Sequence, residues 1–174
     1  VSGDIQQSVQ RGNAEIFLDA TASYRPANQD SSIDGTLTLV TPTGQTILPV
    51  SGSLENLSLN GTVDAKELAT LAGVSVPLAG DISLNGNASL TGETRYNVTG
   101  VWQANGQTLN VSAQGTGADV SATIQSDTLN ASYTAQGFEI NANNFDPAPF
   151  VGSVSANSVP VIGTLTGSLG QQQG

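Results

Sequence analysis

The chain has no cysteine, no histidine and no methionine, and only four Lys and Arg in 174 residues. Each absence removes a class of function. Without Cys there are no disulfides and no thiolate metal sites. Without His, the usual general base and the commonest metal ligand are missing. Four cations against fourteen acids leave a formal net charge of −10. The basic footprint of a phosphate-binding protein is absent, which argues against nucleic acid and against an anionic membrane surface bound through charge. No apolar run approaches the roughly 20 residues of a transmembrane helix, and no signal peptide is visible. With no initiating Met, a polar start and a Gln-Gln-Gln-Gly end, the chain reads as a piece of a longer protein. Any anchor would then lie outside it. The length fits a single β-rich segment over 1–174.

What is present is alternation. Over residues 95–143 apolar and small residues recur at every second position, the signal of half-buried strands. The spacing predicts one antiparallel meander. Asn105-Gly106 predicts a two-residue type I′ turn, which pairs Trp102 with Leu109, Gly100 with Val111 and Val98 with Ala113. A four-residue loop at 115–118 would pair Ala113 with Val120. A second at 125–128 would pair Ile124 with Leu129 and Val120 with Tyr133. A two-residue turn at Gln136-Gly137 would pair Ala135 with Phe138 and Tyr133 with Ile140. A one-residue slip would send every apolar side chain to the other face. All four turns keep the face.

Elsewhere the signals are shorter. Residues 1–13 have weak periodicity and read as a lead-in. Strands are predicted over 14–24, 33–41, 45–50, 53–60 and 159–169, with Pro42-Thr43-Gly44 as a turn and 25–32 as a loop. Asp64 and Glu67 have the spacing of a capping box before a two-turn helix that stops at Gly73, with Leu68, Leu71 and Ala72 on one face. Residues 77–90 alternate again. They predict either a hairpin with the loop Asn85-Gly86-Asn87 or an unbroken strand with a bulge. A second capped turn is predicted at 143–152, from Asp146, Pro147 and Gly152.

Two segments are alike, Val63–Gly86 and Phe145–Gly170. Asp64 matches Asp146, and Pro77-x-x-Gly80 matches Pro160-x-x-Gly163. Self-similarity at a fixed offset suggests stacked units, at about 33–86 and 95–170. The strands expose more apolar face than two short helices can cover. Either a closed barrel or sandwich fills itself, or the sheet curls into a trough that something else occupies. Inward Ala and Gly leave room, and favour the trough. The fold class expected is therefore all-β with one or two very short helices, an antiparallel meander curled into an elongated groove with an apolar interior. The candidate lining is Ile82, Leu84, Leu90, Val98, Trp102, Leu109, Val111, Val120, Ile124, Leu129, Tyr133, Phe138 and Ile140.

The motif of an aspartate, a short apolar helix, Pro or Gly and then x-G-x-L-x-L-x-G resembles the AsmA-like and translocation-and-assembly-module B (TamB) superfamily. It stands here at 63–86 and 145–170, with an echo at Ile33-Asp34-Gly35-Thr36-Leu37-Thr38-Leu39. The resemblance implies an envelope protein in the bacterial periplasm, with its membrane contact in parts outside this segment. It implies a β-groove for phospholipid transport between membranes, for outer-membrane protein assembly, or for both. Partners would be phospholipid acyl chains or hydrophobic client strands, and an outer-membrane barrel. The family has no catalytic residues, so none are carried over. The short length, the lack of an anchor and the Ser/Thr/Asn enrichment depart from the family pattern.

Catalysis finds little support in the residues themselves. Asp64/Glu67 and Asp81/Glu93 could be drawn as acid–base pairs, but they read as caps and solvated strand faces. A glycosidase cleft would want aromatic platforms, and Trp102 is the single Trp. No cofactor and no metal site is expected. The competing function is a structural or adhesive surface module, such as a fibre, stalk or surface-layer repeat, with a filled core.

Overall fold

A computed structural model describes residues 1–26, 30–73, 76–117, 119–152 and 160–168. These residues form one antiparallel sheet of twelve strands in strict sequence order. The strands are β1 (Ser2–Arg11), β2 (Ala14–Arg25), β3 (Asp30–Thr41), β4 (Gly44–Gly52), β5 (Leu57–Asp64) and β6 (Asp81–Ser89), followed by β7 (Arg95–Ala104), β8 (Gln107–Thr116), β9 (Asp119–Gln125), β10 (Leu129–Thr134), β11 (Gly137–Phe145) and β12 (Val161–Ser168). A short helix α1 (Ala65–Leu71) interrupts the meander after β5, and a single 3₁₀ turn (Ala148–Phe150) interrupts it after β11. The sheet curls as a trough and does not close into a barrel, with β1 and β12 as its two edges.

The alternation does set the face. Leu18, Leu37 and Leu48 stand opposite one another in β2 to β4. The row continues past Gly61 through Leu84, Gly100, Val111, Ile124, Ala131, Ile140 and Leu165. The glycines in this row make room for their neighbours. A side chain at Gly61, where φ is +157°, would meet the Leu48 methyl that lies over it.

Within 95–143 the face is as expected, but three of the four predicted registers are corrected by an even step of two. Trp102 does pair with Leu109 across Asn105-Gly106, whose φ values are +47° and +80°. Ala113, however, pairs with Ala122 and Gly115 with Val120. Gly115 is a strand residue because the Tyr96 ring of β7 lies where a side chain at 115 would be, an aromatic covering a cross-strand glycine. Ile124 pairs with Ala131, and Tyr133 pairs with Ala122. Here the Ser126 hydroxyl accepts from the N–H of Thr128 at 3.2 Å and of Leu129 at 3.1 Å, building the turn over 126–129. Phe138 pairs with Tyr133 and Ile140 with Ala131.

Three further readings are settled or change. Of the two alternatives for 77–90 the unbroken strand holds, without a bulge, and the hairpin at 85–87 does not form: β6 pairs Leu57 with Ala88 on one side and Gly86 with Val98 on the other. The lead-in is strand β1, paired along its whole length with β2. It has one strand neighbour, so little alternation is needed to hold it. Glu67 does not close a capping box. Asp64 caps α1 by accepting from the Lys66 N–H at 2.7 Å, while Glu67 is buried and its carboxylate accepts from the Thr46 hydroxyl of β4. Parts of the predicted loop at 25–32 and of the second repeat, residues 153–159 and 169–170, lie outside the described residues.

Candidate binding face and the clasp at its margin

All the strand residues expected to line a groove share one face of the sheet, but the face is not uniform. At one margin α1, the stretch 78–80 and the 3₁₀ turn fold over it. Asp64 and Asp146 start the two turns alike, the second by accepting from the Ala148 N–H at 3.0 Å. The segments that follow meet each other. Leu78 and Val151 form an isolated antiparallel bridge, with Ala79 N–H bonded to the Phe150 carbonyl at 2.9 Å and Gly152 N–H to the Pro77 carbonyl at 2.6 Å. Two more bonds tie this clasp to the hairpin of β7 and β8. The Trp102 indole N–H donates to the Ala79 carbonyl at 2.8 Å, and the Asn105 side-chain amide donates to the Pro149 carbonyl at 2.9 Å. Gly80, with φ +91°, lies against the Gln103 carbonyl and Ala104, an approach that no side chain would permit.

Beneath the clasp the residues are core. Ile82, Trp102 and Leu109 are 7 %, 8 % and 2 % exposed, packed with Ala65, Ala104 and Phe150. The Phe150 ring meets Trp102 edge-on at 5.1 Å and stacks on Phe145 at 6.0 Å. A second buried cluster of Leu39, Leu48 and Val63 adjoins the first, since Leu68 and Leu84 pack against both. Each fully buried aliphatic side chain here contributes about 1.5–3 kcal/mol. Ile82, Trp102 and Leu109 therefore do not line open space; they are sealed beneath the clasp.

Of the remaining candidates, Leu84, Val111, Ile124 and Leu129 pack against the border of this cluster and the others do not. Leu84, Val98, Val111, Ile124, Leu129 and Ile140 are half-buried. Leu90, Val120, Tyr133 and Phe138 are exposed, and Leu90 lies just past the end of β6, its N–H bonded to the Leu54 carbonyl. No residue of β9, β10, β11 or β12 is buried. At the clasp margin Ile124, Leu129 and Phe145 of these strands pack against the buried cluster; beyond that margin the sheet is a single layer with its apolar face uncovered. Sequence reasoning missed two participants on this face. Leu165 in β12 continues the row of Ile140, and its alternation with Gly163 and Gly167 was the available signal. Phe150 seals the clasp, but nothing local distinguishes it from any apolar residue in a capped turn.

The opposite face is polar and also uneven. A hollow of about 430 Å³ runs between Asn85, Thr99, Asn110, Ser112 and Thr123. A second, of about 660 Å³, is bordered by Arg95, Asn97, Gln114, Asp119 and Thr134. Ser112 and Thr123 share a hydroxyl hydrogen bond of 2.7 Å across strands. Among the described residues no three acidic side chains converge as a metal site would require. No helix among them is long and apolar enough to cross a membrane. No protein-family model, curated protein or solved structure matches the chain.

Proposed function

We propose that this chain is a non-enzymatic conduit segment, holding phospholipid acyl chains or hydrophobic client strands on the part of the apolar face of β8 to β12 that lies beyond the clasp. The observation that carries this reading is the continuous aliphatic row Val111, Ile124, Ala131, Ile140 and Leu165, in register across five strands with no buried residue in the last four. A face of this kind needs a cover. An acyl chain lying on it would gain about 0.8 kcal/mol for each buried methylene. With no charge in the row there is no deep local trap, so a bound chain could slide along it. Tyr133 would carry its ring on the apolar side and its hydroxyl at the wet rim. The resemblance to the AsmA-like and TamB superfamily supports the same reading. With it come a bacterial envelope setting, an outer-membrane barrel partner and a role in outer-membrane protein assembly.

The test is photo-crosslinking to phospholipid from a reactive residue at Ile124, compared with one at Ser112 on the polar face. Capture at Ile124 and not at Ser112 is expected, and Val111→Asp should abolish it while the circular dichroism of the sheet persists. Equal capture from both faces, or capture unchanged by Val111→Asp, overturns the reading.

The polar hollows support a second reading, an adhesive surface module. Both present amides and hydroxyls, joined by Arg95 and Asp119 at the second, groups that can hydrogen-bond a polyhydroxylated ligand such as a glycan. Glycan affinity lost on Asn110→Leu, with no lipid captured at Ile124, would favour it.

A further inference from the structure

The strand β12 is one edge of the sheet, and among the described residues its one strand neighbour is β11. Edge strands are commonly blunted by charge, proline or a bulge. β12 contains neither a charged residue nor a proline. The register irregularity between β11 and β12 falls before Gly163, leaving Gly163–Ser168 regular. Leu165 and Ile162 are 58 % and 73 % exposed. The other edge, β1, carries the charged Asp4.

The regular part of β12 reads Gly163-Thr164-Leu165-Thr166-Gly167, the same sequence in either direction about Leu165. We propose that β12 pairs antiparallel with β12 of a second copy of this chain, about a two-fold axis at Leu165. Leu165 then faces Leu165 on the apolar side, Thr164 faces Thr166 on the polar side, and Gly163 faces Gly167. Like apolar pairs and Thr–Thr pairs are favourable across antiparallel strands. One patch meeting itself is what a two-fold contact requires. The palindrome supplies that match with no change of register, and the axis stands perpendicular to the sheet, so both apolar faces lie on one side. The seam is also electrostatically cheap. A chain of net charge −10 meets its copy along a strand without charge. The row of Ile140 and Leu165 simply continues into Leu165 and Ile140 of the second copy.

Because the chain has no Cys, a single introduced thiol is unambiguous. Directly opposed residues place their Cβ atoms about 4.5–5.5 Å apart, close enough for a disulfide after a small adjustment. Leu165→Cys is expected to yield a disulfide dimer at twice the 17.6 kDa of the chain under mild oxidation. Val9→Cys on β1, at 60 % exposure against 58 % for Leu165, should remain monomeric. No dimer from Leu165→Cys, or equal yields at both positions, overturns the proposal. Sedimentation equilibrium on the cysteine-free chain gives a second reading. The mass should rise toward the dimer with concentration, and Leu165→Asp, which opposes two carboxylates across the axis, should hold it at the monomer. A wild-type mass that stays monomeric contradicts self-pairing at β12. A mass that climbs past the dimer contradicts it too, and indicates head-to-tail pairing of β12 with β1.

Discussion

In β6 and β7, Ile82 and Trp102 lie under the clasp and are almost inaccessible, whereas in β10 and β11 Tyr133 and Phe138, on the same face, are 43 % and 37 % exposed. The two regions have the same strand geometry, the same alternation and the same parity. They differ only in what the chain lays over them. Residues 65–71 and 78–80 and the turn at 148–150 fold back on the first region; in β9 to β11 the cluster they seal reaches only Ile124, Leu129 and Phe145, and neither Tyr133 nor Phe138 belongs to it. Alternation therefore decides which face is apolar, and long-range cover decides whether that face is core or working surface.

The comparison can be broken most forcefully at Trp102. Trp102→Ala should cost about 3–5 kcal/mol, the range for emptying a large aromatic site in a core. Phe138→Ala should cost about 1 kcal/mol or less, as a partly solvated position does. Urea midpoints of the two variants measure the difference, and similar costs at both sites would mean that the regions are packed alike. A smaller effect sharpens the role of the clasp. Asp64→Ala removes the one side-chain cap of α1 and should destabilise by about 1 kcal/mol. The same variant should shift Trp102 fluorescence to the red if α1 helps to hold the clasp closed.

Much of the sheet was legible from period and turn chemistry. The face of every strand residue from Tyr96 to Ile140 followed from alternation, because a slip that exposes the apolar set is costly while a slip of two is not. That same tolerance explains the misplaced registers. Gly115 and Gly137 look like turn residues, yet both sit in strands, where neighbours occupy the space that a side chain would take. Gly86 was misread in the same way. β1 was missed: its Gly12-Asn13 connection is a known two-residue hairpin signal, but its sparse apolar residues obscured the strand. The fate of Trp102 was not legible. Its burial depends on Ala79, 23 positions earlier in the chain, and on Phe150, far later in it, and neither contact leaves a periodic trace in the sequence.

The central claim is that acyl chains contact the uncovered region of the apolar face and not the clasped one. Quenching of tryptophan fluorescence by phospholipid brominated on its acyl chains tests it most directly. Native Trp102, sealed under Phe150, should be quenched weakly. A Trp placed by Phe138→Trp in a Trp102→Phe background should be quenched strongly. The account is contradicted if Trp102 is quenched as strongly as the residue at 138, or if neither responds to the brominated lipid.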